Sequence, residues 1–125
     1  MKKVIRTENA PGAVGPYSQA IEKNGILYVS GQIGLDPSTG KLVAGGIAEQ
    51  TRQVLLNLDA VLKAAGYSKD DVVKCTCLLG DMEHFREMNS VYAGYFNEDP
   101  PARAAFQVAA LPLDALVEIE AVAMK

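Results

Sequence analysis

The sequence predicts an α+β fold, with two helices packed on one face of a mainly antiparallel sheet. Three observations lead there. Apolar residues recur at threes and fours over 47–65 and again over 85–96. Runs of β-forming residues, bounded by Gly, Pro, Asn and Asp, fill the remainder. The order of elements is strands, helix, strand, helix, two strands, and two helices on one sheet face bury these apolar surfaces together. At 125 residues, positions 1–125 are expected to form a single domain.

Val4 to Thr7 reads as a short strand, broken by Asn9-Ala10-Pro11-Gly12 and then by Gly15-Pro16. Tyr17 to Glu22 reads as the next strand. The Asn24-Gly25 pair turns it into Ile26-Leu27-Tyr28-Val29-Ser30, a hairpin signal. Asp36 to Gly40 is a turn by composition. The first helix carries Ile47, Thr51, Val54, Leu55, Leu58, Val61, Leu62 and Ala65 on its apolar side. Glu49, Gln50, Arg52, Gln53, Asn57, Asp59 and Lys63 lie on the opposite side, and Gly66 supplies the stop. Val72 to Leu79 reads as a strand. Asp81 is a good cap for a second helix with Phe85, Met88, Val91, Tyr92, Tyr95 and Phe96 as its stripe. Ala104 to Ala109 and Leu116 to Met124 complete the strands.

On the last strand Val117, Ile119, Ala121 and Ala123 can face the helices, which turns Glu118, Glu120, Val122 and Met124 outward. That second sheet face is half apolar and half ionic. Such a face is uncomfortable in water and points to burial against another subunit.

Composition removes several function classes. The net charge is -3 and the basic residues are scattered, so the electrostatic footprint of a nucleic-acid binder is missing. No apolar run is long enough to span a membrane, and Lys2-Lys3 is followed by no apolar signal-peptide core. A cytoplasmic location is expected. Cys75 and Cys77 have neither redox-motif nor zinc-site spacing and read as reduced core thiols. His84 is the only histidine, and it falls at the expected, exposed start of the second helix. A His-rich metal site is impossible, and a Ser-His-Asp triad would have to rest on that one residue.

Three features can carry chemistry. Arg103, among the small residues of Pro101-Ala102-Arg103-Ala104-Ala105, offers a planar fork that binds a carboxylate in two places. The competing reading is a structural ion pair with Glu118 or Glu120. Those two glutamates share a strand face and can supply an acid or base, or can be an ordinary solvated edge. Gly15-Pro16-Tyr17-Ser18-Gln19 and Ser30-Gly31-Gln32-Ile33-Gly34 permit close backbone approach to a ligand, or serve only as turns.

Taken together, these stretches resemble the RidA family of reactive-intermediate (2-iminopropanoate) deaminases. The matching pieces are Pro101-Ala102-Arg103, Leu111-Pro112, Val117-Glu118-Ile119-Glu120-Ala121, Gly15-Pro16-Tyr17-Ser18-Gln19-Ala20, Ser30-Gly31-Gln32-Ile33, Thr7-Glu8-Asn9-Ala10-Pro11 and Asn89. Their order spans nearly the whole chain. The resemblance implies a chorismate-mutase-like fold, a homotrimer with sites between subunits, and hydrolysis of 2-imino acids to 2-keto acids and ammonia without cofactor or metal. It implies that Arg103 grips the substrate carboxylate and Glu118 holds the attacking water. Tyr17 and the Ser30-Gly31 backbone come from the neighbouring subunit, and Asn89 borders the cleft. Many relatives carry Cys or Thr where this chain has Ala105. A side chain there is therefore dispensable, while the Ala105 carbonyl stays available to ligand or water. Two other functions use the same residues: a single-strand endoribonuclease or translation inhibitor, an activity also attributed to the family, and a non-catalytic carboxylate-binding protein.

Overall fold

The computed structural model describes residues 1–125. The strands are β1 (Lys3–Ile5), β2 (Ala20–Lys23), β3 (Ile26–Gln32), β4 (Leu35–Asp36) and β5 (Lys41–Leu42), followed after a helix by β6 (Val72–Leu79), β7 (Ala102–Gln107) and β8 (Val117–Met124). The helices are α1 (Ile47–Ala64) and α2 (Phe85–Tyr95). Six strands form one sheet in the order β1-β2-β3-β8-β6-β7, and β4 and β5 make a separate small hairpin. All pairs in the large sheet are antiparallel except β6 with β7. The chain is thus of the α+β class expected, with β7 as an exposed edge.

Helix α1 lays Val54, Leu58, Val61 and Leu62, each fully buried, onto the sheet. Leu27, Cys75, Cys77, Leu79, Val117 and Ile119 meet them from β3, β6 and β8. Gly66, at φ 79°, ends the helix in the left-handed region that a side chain would resist. Two residues of its polar side are buried instead. Asn57 donates from Nδ2 to the carbonyls of Ile33 and Leu35, and Gln50 accepts from the Leu116 backbone N–H. They satisfy backbone groups of segments distant in the chain, which no helical periodicity can foretell.

Asp81 does cap, but what it caps is a 3-10 turn, Met82–His84, that leads into α2. His84 is half-buried there rather than exposed, and its Nδ1 has no hydrogen-bond partner. Strand β2 begins at Ala20, later than expected, because Tyr17 and Ser18 belong to an irregular loop. Strand β7 begins at Ala102, earlier than expected. Arg103 therefore sits inside the strand, where its register neighbour on β6 is Cys75.

No helix is long and apolar enough to cross a membrane. The sheet face away from the helices leaves Tyr28, Phe106 and Met124 about half exposed, at 54%, 49% and 46%.

Candidate active site

The sequence-derived residues fall into two groups on opposite faces of the sheet. The register shows why. Arg103 pairs with Cys75 and Ala105 with Cys77, and Cys77 in turn opposes Ile119. Paired residues share a face, so Arg103 and Ala105 lie on the side that packs against the helices. Glu118 opposes Leu78, one residue out of step, and therefore faces the other way.

The first group is built around Arg103. Its Nη1 donates to Asn89 Oδ1 at 2.7 Å. Its Cζ lies 4.9 Å from the centre of the Tyr92 ring and 5.6 Å from that of Phe85. Phe85, Asn89 and Tyr92 are four and three residues apart on α2, which brings them to one face of that helix. The chain forms two ion pairs, Arg52 with Glu49 and Lys63 with Asp59, and neither involves Arg103. The structural ion pair with Glu118 or Glu120 is therefore not made within the chain.

Beside Arg103 and Ala105 on β6 lie the two cysteines, free and fully buried. Burial pushes the Cys77 thiol up to about 12, with Cys75 adding to the rise and Arg103 opposing it. Burial raises Cys75 as well, opposed by Tyr92 and Arg103. Both are protonated core thiols at neutral pH, as their spacing suggests.

The second group lines a cavity of about 580 Å³ that includes Tyr17, Gln19, Ser30, Gly31, Glu118 and Glu120. Between Val29 and Gln32 the pairing of β3 with β8 slips by one residue, so Ser30 and Gly31 form a bulge. A Cβ on Gly31 would stand 2.1 Å from Glu118 Oε2, so any larger residue there would push the Glu118 carboxylate out of its place. The glycine lets the carboxylate lie against the backbone. Burial raises the Glu118 carboxyl above the usual range, and the negative charge of Glu120 adds to the rise.

Tyr17 is half exposed on a loop that two side chains hold in place. Ser30 Oγ donates to the Ser18 carbonyl at 2.6 Å. Gln19 accepts from the Thr7 N–H through Oε1 and donates through Nε2 to the carbonyls of Thr7, Ala10 and Pro11. Ser30 thus spends its proton inside the loop. The resemblance gives Arg103 and Glu118 to one cleft and brings in Tyr17 and the Ser30-Gly31 backbone from a neighbour. In this chain Glu118 keeps company with Tyr17, Ser30 and Gly31, while Arg103 stands with Asn89 and Ala105.

Sequence reasoning did not assign Phe85, Tyr92 or Gln19 any role here. The signal for the first two was present: they share a helix face with Asn89. It points to a site only once Arg103 is known to lie under that face. No cluster of His, Cys, Asp or Glu is placed to hold a metal ion.

Comparison with known proteins shows the family and the fold. The family model described as Endoribonuclease L-PSP matches residues 7–125. A RutC family protein of Pyrococcus horikoshii is 58% identical over 125 residues, covering 100% of this chain and 99% of the relative. A mouse protein named 2-iminobutanoate/2-iminopropanoate deaminase is 54% identical over 125 residues, covering 100% of this chain and 93% of its own length. Among solved structures, Escherichia coli TdcF with bound serine superposes with a TM-score of 0.95 at 40% identity, covering 98% of each chain.

Proposed function

From the premise that the chain belongs to the RidA family, the group whose model is described as Endoribonuclease L-PSP, we propose that it is a deaminase acting on small 2-imino acids. The substrates are the 2-iminopropanoate and 2-iminobutanoate class, and the products are 2-keto acids and ammonia. One observation carries the reading. Arg103 is a half-buried cation held only by an amide oxygen and two aromatic rings. Its charge is left for an anion, and its planar fork suits a carboxylate. The relative with bound serine is a protein that accommodates a small amino acid.

In this reading Arg103 grips the substrate carboxylate and fixes C2. A water held by Glu118 adds its oxygen to C2. One proton passes by way of Glu118 to the imine nitrogen, giving a carbinolamine. The C–N bond then breaks as the hydroxyl proton follows onto the nitrogen, leaving the keto acid and ammonia. The substrate is intrinsically reactive, so positioning and one proton relay supply the needed acceleration. The raised pKa of Glu118 suits a group that both takes and returns a proton. The scheme needs no metal or organic cofactor.

The active form is a homotrimer of single-domain chains, with each cleft completed by two copies. Its support is geometric. Arg103 and Glu118 are two strands apart and on opposite sheet faces, too far for one small imino acid to touch both within a chain. The half-apolar outer face, with Tyr28, Phe106 and Met124, is the surface to be covered. Glu118, Tyr17 and the Ser30-Gly31 backbone then come from one copy, and Arg103, Asn89 and the Ala105 carbonyl from the next. The free buried thiols are in keeping with a cytoplasmic location.

The test couples a pyridoxal-phosphate-dependent threonine or serine dehydratase to this protein and follows keto-acid release. Wild type is expected to accelerate release, and a still-oligomeric Arg103→Ala variant is expected not to. No acceleration by a folded oligomer would overturn the reading and leave carboxylate binding without turnover. The family description also raises cleavage of single-stranded RNA. Nuclease activity that copurifies with the protein and vanishes in Arg103→Ala would put that reading first.

A further inference from the structure

The guanidinium of Arg103 has a floor as well as a partner. Tyr92 lies under it, its ring centre 4.9 Å from Cζ, and is itself only 5% exposed. The Tyr92 ring is braced by Phe96, at 4.9 Å between centres and 47° between planes. The proposed mechanism gives Tyr92 no task, and the Tyr92 hydroxyl is buried without a hydrogen-bond partner. An arginine side chain has many rotamers, and an unsupported one would sweep its fork through several directions. An acidic neighbour would hold the fork still but would also neutralise it and compete with the incoming anion. An aromatic face holds the cation and leaves its N–H edges and its charge free.

We propose that Tyr92 is a positioning residue for Arg103, an uncharged aromatic floor that presents the guanidinium fork to a substrate carboxylate without neutralising it. The inference rests on the deaminase reading for the identity of that carboxylate. Asn89 Oδ1 fixes one edge of the fork from the same helix, and Phe85 closes a second side. Burial, with Cys75 beside it, keeps the Tyr92 hydroxyl protonated, so the floor stays neutral across the working pH range.

The experiment compares Tyr92→Leu with Tyr92→Phe. Leucine fills much of the volume without a π face, and phenylalanine restores the face without the hydroxyl. Tyr92→Leu is expected to raise KM for the imino acid about five- to tenfold with kcat within about twofold, the pattern of a lost ground-state grip. Tyr92→Phe is expected to rescue KM. The NMR signal of the Arg103 Nε–H, shifted by the ring current in wild type and Tyr92→Phe, should move toward its free-chain position in Tyr92→Leu. An unmoved KM and signal in Tyr92→Leu would overturn the proposal. So would a fall in kcat and melting temperature at constant KM, the mark of a merely structural role. Absence of imine turnover in wild type would overturn the deaminase reading alone, because the signal difference between the variants needs no turnover.

Discussion

Glu118 is the residue whose surroundings matter most for its chemistry. It lies against Gly31 with Glu120 on the same face, and both burial and that neighbouring charge disfavour its ionised form. Its folded-state pKa is therefore raised, and the sign of the linkage follows. The native state holds its proton more tightly than the unfolded chain does. That contribution to stability is full below the unfolded carboxylate pKa and is lost as pH rises through the folded value. At neutral pH the ionised Glu118 costs stability. Glu118→Gln should abolish turnover while raising the melting temperature at pH 7, with the gain shrinking as pH falls into the carboxylate range. In wild type, kcat/KM should climb with pH through a carboxylate-like step above the usual range, since the water-holding form is the anion. A profile without that step would remove Glu118 from proton transfer.

At the level of elements, the loop from Asn9 to Ser18 carries Tyr17 without regular structure of its own. Gln19 does the work of a strand pairing there, with one accepted and three donated hydrogen bonds, and is only 5% exposed. Each such bond contributes on the order of 1 kcal/mol, and leaving buried backbone groups unpaired costs about 1–3 kcal/mol. Gln19→Leu should preserve the sheet, lower thermal stability, and raise the KM for imino acids severalfold by loosening Tyr17. Hydrogen exchange should show faster opening of residues 7–18 with β3 and β8 unchanged. Protection that stays uniform in the variant would show that the loop is held by something other than Gln19. On α1 the lesson is similar: Gln50 and Asn57 look like solvent-facing residues by period, and are buried because backbone from distant parts of the chain needs partners.

For the whole molecule, the consequence of Arg103 and Glu118 facing opposite ways is that function and assembly are one question. If each cleft takes Arg103 from one copy and Glu118 from the next, two dead variants can repair each other. Arg103→Ala and Glu118→Gln, unfolded together and refolded at equal amounts, should recover about a quarter of wild-type activity by random assembly of shared clefts. Each variant refolded alone should stay inactive, and mixing without unfolding should recover activity only as subunits exchange. Failure to recover activity in mixed oligomers of verified composition would place both residues in one copy's site.

What the sequence determined by itself was local and periodic: the two helices, most strands, the α+β class, and the kinds of residue able to bind a carboxylate. Helical and strand periods reflect only which side of an element is apolar, and the motifs from Tyr17 to Glu120 announce themselves by composition. The tertiary structure alone decided which of these residues meet. The one-residue offset between Ile119 and Glu118 in the β6–β8 register, the early start of β7, and the bulge at Ser30-Gly31 divide the candidates between two faces. The pairing of Arg103 with Asn89 over Tyr92 depends on how α2 crosses the sheet edge. Register and helix docking are set by contacts between residues distant in the chain, and no pattern within a single element records them.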